Sequence, residues 1–538
     1  MVRIPKFATI LAISGLLFPG CDNPAEPAAP TMPAKDLLIR ASLDLRGVRP
    51  SVAELDAVEA DPTALDGLIE DFLADERFGA RVRDLFADTY RTRTETYAIG
   101  ADAYGLSDEA AFYRAIGEEP LRILSEIATN DLPYTTLVTA DWTMSDEVLA
   151  EVWPVDYPAG VSGWQRVHYM DGRPSAGILS TNAMWWRYTS TASNANRARA
   201  NAVSRILLCN DYLSRPIHFD RNVNLLDEQA VNEALQTNPS CVNCHNSLDP
   251  LAGYFYGFFY YSDYDADEAR VYHAERERLW QTYSGIEPGY YGEPSYNLHD
   301  LGQQIAGDHR FAECAVEQVY EALLRREVTI DDTDALVRHR DAFIDGGLTL
   351  RALFRSVVQD PNYRAGPVDE AGAVPLKMAT PELLASEVEA LTGYRMVYQG
   401  YDLMSTDMLG FRTLAGGADG YNVTQAATSP NTTTLLVQER LAQSAAWYVA
   451  QQEAEGGSPR VFTEVNFSET PESGRDAMVR QIQALHYQLF GDRVAADGPE
   501  VTANLELWSD LYAVQHDTVG AWAGVLSVLL RDPDFLFY

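Results

Sequence analysis

The chain has 538 residues, 46% hydrophobic and 11% aromatic, enough apolar material for several sizeable cores. Against 78 Asp and Glu stand only 41 Lys and Arg, a formal net charge of −37. Such a surface repels phosphate backbones and disfavours lying flat on anionic lipid, which excludes nucleic-acid binding and leaves solubility, or a basic partner, as its use.

At the N-terminus, Arg3 and Lys6 precede a mostly apolar stretch from Phe7 to Phe18. That stretch is too short to span a bilayer as a mature helix and reads as an export signal. Pro19 and Gly20 lead into Cys21. A small residue directly before a cysteine, at the end of an apolar run, is the pattern of a bacterial lipobox. It predicts a signal peptide over 1–20 and a lipid on Cys21; the bland alternative is an ordinary cleaved signal with a chance cysteine. Residues 22–35 hold four prolines and little that is apolar beyond alanine, so 21–35 reads as a tether. No later segment is apolar for long enough to cross a membrane, and the body is expected to hang from one by its lipid anchor.

The next signal is a helical pattern that recurs three times with identical offsets. Leu65, Leu68, Ile69, Phe72 and Leu73 precede Asp75 and Phe78. Leu350, Leu353, Phe354, Val357 and Val358 precede Asp360 and Tyr363. Trp522, Val525, Leu526, Leu529 and Leu530 precede Asp532 and Phe535. Each is an amphipathic stripe that stops at an aspartate with an aromatic three residues on. Similar openings start at Leu43, Leu323 and Leu489, which predicts a duplicated helix-turn-helix unit serving as scaffold. Strand signals are confined to short runs at Leu137–Ala140 and Val461–Val465, and the stretch from Tyr283 to Tyr296 reads as an ordered loop. The expected class is mainly α: a multi-module helical protein with long loops and few short strands.

Between the first two units lies the motif that carries chemistry. Cys241, Cys244 and His245 stand in Cys-x-x-Cys-His spacing within Ser240–Leu251. Two thiols three residues apart reach the vinyl groups on one haem edge as thioethers, and the next residue presents an imidazole nitrogen to the iron. A redox dithiol would want a βαβ surround, and zinc would want two more ligands nearby; neither is visible. One covalent haem c is therefore expected, with His245 as proximal ligand. The sixth ligand stays open among His218, His273, His299, His309, Met170, Met184 and none. The aromatic run Gly253–Tyr261 either walls the haem or packs as core. Of five cysteines, Cys209 and Cys314 remain, and in an oxidising compartment they are expected to pair across the haem motif, the alternative being two separately buried thiols.

With these residues the chain resembles the multi-domain cytochrome-c-like exported lipoproteins of planctomycetes and myxobacteria, assembled from modules of unknown function. The likeness rests on Leu43–Pro50 with Asp75–Phe78, on Asp131–Trp142, on Gly177–Cys209 with Cys241–Pro250, and on Phe311–Cys314 with Leu323–Glu327; the segment from Leu383 onward is similar to the myxobacterial members. One departure is that Ala252 precedes Gly253 where the family's glycine comes first. The resemblance implies an exported haem-binding protein and no particular substrate.

The organisation expected is a signal peptide (1–20), a tether (21–35), an N-terminal helical module (36–130), a haem-motif module (131–300), a helical module (301–366) and a C-terminal helical module (367–538). Three functions fit. A membrane-tethered monohaem protein would pass single electrons to an unidentified redox partner. A haem enzyme, peroxidase or oxidoreductase, would use an open iron site. A non-catalytic surface lipoprotein would use the motif structurally. Whether the chain is an enzyme is left open.

Overall fold

The computed structural model describes residues 30–216, 223–224, 226–261, 265–366 and 376–538. The expected signal peptide, Cys21 and most of the tether lie outside the described residues, as does His218. The described residues form a mainly α structure, with 24 α-helices and three small two-stranded antiparallel sheets. The first helix begins at Ala34, inside the proline-rich stretch, with Met32 already buried.

The sequence repeat is a structural repeat of three helices. The first copy comprises Ala34–Arg46, Val52–Ala60 and Ala64–Ala74. The second comprises His309–Leu324, Thr333–Asp345 and Leu350–Val358. The third comprises Pro471–Phe490, Pro499–Gln515 and Thr518–Leu529. The first helix of each copy ends on a left-handed residue: Gly47 (φ 71°), Arg325 (φ 55°) and Gly491 (φ 70°). Glycine adopts that conformation without strain, which is why two copies use it. In each copy the residue two before it is a buried leucine, Leu45, Leu323 or Leu489. The structural register of the first copy is thus two residues away from the alignment on Leu43. Leu43 and Leu45 are both fully buried, so burial alone does not distinguish them.

The closing aspartates share one device. Asp75 Oδ1 accepts from the backbone N–H of Arg77 at 2.9 Å, Asp360 Oδ1 from Asn362 at 2.8 Å, and Asp532 Oδ1 from Asp534 at 3.0 Å. Such a side-chain turn satisfies a backbone donor just past the helix and redirects the chain. The aromatic that follows, Phe78, Tyr363 or Phe535, is thereby delivered into the core.

One apolar cluster runs from Met32 to Tyr538 and joins all three copies. Phe78 meets Phe354 edge to face, ring centres 5.1 Å apart. Arg49 ties the first copy to the third: it pairs with Glu387 at 2.8 Å and donates to the carbonyls of Leu489 (2.6 Å) and Phe535 (3.1 Å). At the centre lies Asp44, 1% exposed. It accepts hydrogen bonds from the hydroxyls of Tyr363 (2.7 Å) and Tyr538 (3.0 Å) and forms an ion pair with Lys377. Burial pushes the Lys377 ammonium down to about 7, against the opposing pull of Asp44.

Two expected strands are absent. Residues 136–139 form a single helical turn. The run from Val461 has no partner strand because its backbone groups are already taken. The Glu453 carboxylate accepts from the N–H groups of Arg460, Val461 and Phe462 at 2.8–2.9 Å, and Gln481 donates to the Val461 carbonyl. A three-residue sheet forms instead between Thr143–Ser145 and Gln165–Val167. The Tyr283–Tyr296 loop is ordered, with a tight hairpin at Gly289–Pro294. No helix among the described residues is long and apolar enough to cross a membrane.

Candidate functional site

The Cys-x-x-Cys-His motif lies on the helix Pro239–Ala252. Asn238 starts it, its side chain accepting from the Ser240 N–H at 3.0 Å, and Pro239 occupies the first turn, where a missing N–H costs nothing. Cys241 and Cys244 therefore sit about one helical turn apart on one side of the helix, with His245 next in line. Both thiols are free and partly exposed, and Cys244 also touches the apolar core.

His245 is held from behind. Its Nδ1 lies 2.9 Å from Oδ1 of Asp249, one turn later on the same helix. Asp249 is in turn gripped by Arg197 of the neighbouring helix Arg197–Leu208, Nε to Oδ1 at 2.7 Å and the second guanidinium nitrogen to Oδ2 at 3.0 Å. Burial alone would push the Asp249 carboxyl up, but the hydrogen bonds from His245 and Arg197 outweigh it and hold it below its ordinary value. An ionised carboxylate on Nδ1 fixes the tautomer that leaves Nε2 as the lone-pair nitrogen. Nε2 has no hydrogen bond among the described residues.

These donors fit a c-type haem. Two accessible thiols and a correctly tautomerised imidazole are the protein side of that cofactor's attachment, and the macrocycle supplies the other four ligands to iron. Among the described residues no three His, Cys, Asp or Glu side chains cluster so as to hold a bare metal ion.

The candidates for a sixth ligand are scattered. Met184 is core, 1% exposed, and Met170 is 68% exposed. His273 is engaged at both nitrogens, by the Glu268 carbonyl at 2.9 Å and the Glu275 carboxylate at 3.3 Å. His299 Nδ1 faces the Ser175 carbonyl at 3.0 Å, and His309 is largely exposed. The aromatic run packs as core: Phe255 and Phe258 lie against Trp185, centroids 4.5 and 5.7 Å apart. Cys209 and Cys314 stand as a disulfide pair, Cα atoms 5.2 Å apart, joining the end of the helix Arg197–Leu208 to the helix His309–Leu324. Asp249 and Arg197 carried no expected role. The spacing of Asp249, four residues after His245, was a helical signal that could have found it.

Comparison with known proteins agrees with the sequence likeness at one end of the chain. Residues 22–115 match the family PSCyt2, a protein of unknown function (DUF1549). The matched stretch contains the first three-helix copy and covers less than a fifth of the chain, short of the Cys-x-x-Cys-His helix. No curated protein and no solved structure matches the chain.

Proposed function

We propose that this chain is an exported, lipid-anchored monohaem protein of the c type that passes single electrons to a redox partner. The observation that carries the reading is the pairing of Cys241 and Cys244 on one helical turn with His245, whose Nδ1 is clamped by Asp249 and Arg197. When bound, haem c supplies a one-electron iron couple. The chain's part is to attach it through Cys241 and Cys244, to present Nε2 of His245, and to keep that imidazole oriented through the Asp249–Arg197 pair. Export and the anchor at Cys21 are the setting in which covalent haem attachment takes place, and the surplus of acidic residues suits a basic partner.

One observation favours a second reading. Asp249 would hydrogen-bond the proximal imidazole, and a carboxylate there makes the imidazole a more electron-donating ligand, which suits small-molecule chemistry at an open iron position as in haem peroxidases. Coordination separates the two. A low-spin six-coordinate iron supports transfer, and a high-spin iron that binds cyanide quickly supports an enzyme.

The deciding experiment is a pyridine haemochrome spectrum of protein exported from a host with haem-attachment machinery, run beside Cys241→Ala/Cys244→Ala. A c-type band in the first and not in the second is expected. No band in either would overturn the cytochrome reading and leave a helical surface scaffold.

A further inference from the structure

The turn that closes the second three-helix copy carries more than its scaffold role needs. Asp75, Asp360 and Asp532 each end a stripe and bond the chain two residues on. Of the three, only Asp360 is paired with a histidine that also meets a serine. His339, on the helix Thr333–Asp345, is 2% exposed, and its Nε2 lies 3.3 Å from Asp360 Oδ2. Its Nδ1 lies 2.8 Å from the hydroxyl of Ser356, on the helix Leu350–Val358. Ser356 stands six residues into the stripe that begins at Leu350; the same offset holds Asp71 in the first copy and Val528 in the third. The middle helices of those copies, Val52–Ala60 and Pro499–Gln515, contain no histidine. Two copies thus close their turn without this pair, so the packing of the repeat does not account for it.

The partners set the charge states. The Asp360 side chain is 1% exposed and also accepts from the Asn362 N–H at 2.8 Å and from Arg338 at 2.9 Å. Burial alone would raise its carboxyl, but the hydrogen bonds from His339, Asn362 and Arg338 outweigh it and hold it below its ordinary value. An ionised carboxylate beside Nε2 places the ring proton there, so Nδ1 keeps its lone pair toward the Ser356 hydroxyl. The separation of 3.3 Å is long for a hydrogen bond, but such contacts tighten once substrate is in place. Carboxylate, imidazole and hydroxyl in this order make an activated serine, which is recognised by geometry and roles and not by position in the chain. Tyr320 packs on the imidazole, ring centres 5.6 Å apart, and Ser356 is the half-buried member of the group.

We propose that Ser356 is a nucleophile toward small esters, with His339 as its general base and Asp360 as the residue that positions the imidazole. Ser356 Oγ bonds the acyl carbon while its proton passes to His339 Nδ1. The bond from that carbon to the alcohol oxygen breaks, and His339 gives the proton to the departing alcohol. Water then repeats the sequence, releasing the acid and restoring the hydroxyl. Because Ser356 is half-buried between two packed helices, the acyl group it takes is short, such as acetyl. This chemistry does not involve the Cys-x-x-Cys-His helix.

The test treats the full chain with a fluorophosphonate, which forms a stable oxygen–phosphorus bond on an activated serine and releases fluoride, and maps the adduct by peptide mass spectrometry. An adduct on Ser356 is expected, together with a burst of p-nitrophenol from p-nitrophenyl acetate that Ser356→Ala abolishes. His339→Gln, at an unchanged helical circular dichroism spectrum, should slow the labelling by roughly a hundredfold or more, the usual worth of a general base. Ser356→Ala removes one hydroxyl only and decides the question by itself if His339→Gln fails to fold. No adduct on Ser356, labelling that is as fast in folded His339→Gln, or a burst that Ser356→Ala retains would overturn the proposal.

Discussion

Replacing Asp44 by alanine removes a carboxylate buried at the centre of the three-copy core. Lys377 would be left buried, its side chain 6% exposed, and the hydroxyls of Tyr363 and Tyr538 would lose their acceptor. Removing one partner of a buried ion pair costs about 3–5 kcal/mol, because the other charge stays desolvated and alone. The two tyrosine bonds share that same carboxylate, so their loss is not added in full. A loss of this size is a large fraction of a typical total stability of about 5–15 kcal/mol. Urea unfolding followed by circular dichroism reads it as a lower midpoint at unchanged slope. The pH dependence supplies a second check. Lys377 is lowered from 10.5 to about 7 in the folded chain. Between those values the unfolded chain holds a proton that the folded chain releases. The contribution of this group is therefore least favourable below about pH 7 and recovers as pH rises toward 10.5, by about 1.4 kcal/mol per unit. Without Asp44 nothing holds that proton, so recovery starts at lower pH, and the penalty of Asp44→Ala shrinks as pH rises toward about 7 and is constant above it. Adding Lys377→Met removes the stranded charge and should restore part of the loss. A penalty below about 1 kcal/mol, or one that Lys377→Met does not relieve, would refute the buried-pair argument.

Two further outcomes are expected. Glu119 is fully buried, between the hydroxyls of Thr143 (2.7 Å) and Tyr169 (2.8 Å), and burial pushes its carboxyl up to about 7. The folded chain then keeps a proton that the unfolded chain releases, so this group's contribution is whole below about pH 4.5 and is lost as pH rises to about 7. Glu119→Gln should flatten that fall in a series of thermal melts; an unaltered slope would show that the carboxyl is ionised throughout. On the proposed haem reading, Asp249→Asn should leave haem attachment intact and raise the reduction potential by roughly 60–120 mV, taking a 10–100-fold effect of the carboxylate behind His245 on the oxidised state alone. Spectroelectrochemical titration measures this, and an unmoved potential would mean that Asp249 serves Arg197 rather than His245.

The sequence revealed those parts of the molecule whose physics is local. The stripes at Leu65–Leu73, Leu350–Val358 and Trp522–Leu530 are helices because their apolar spacing leaves one face to bury, and Asp75, Asp360 and Asp532 end them by a bond to the chain two residues on. Cys241, Cys244 and His245 were visible because the three stand together within five residues of sequence. Long-range partners left no local mark. Arg197 precedes Asp249 by 52 residues, and Lys377 follows Asp44 by 333. The run at Val461 reads as strand from its β-branched and aromatic side chains, yet Glu453 captured its backbone, a choice made by a side chain and not by propensity.

The bond between Cys209 and Cys314 closes a ring of about a hundred residues around the haem-motif helix. The repeats His309–Leu324 and onward are thereby tied directly to the helix Arg197–Leu208, without the intervening chain having to hold them. Insertions, trimming or even a single break inside the ring would leave both anchors joined, and a nicked chain would run as one species on a gel until a reductant was added. The segment that carries the Cys-x-x-Cys-His motif is in that sense a replaceable cartridge: its loops can lengthen or diverge while the scaffold on either side keeps its registration.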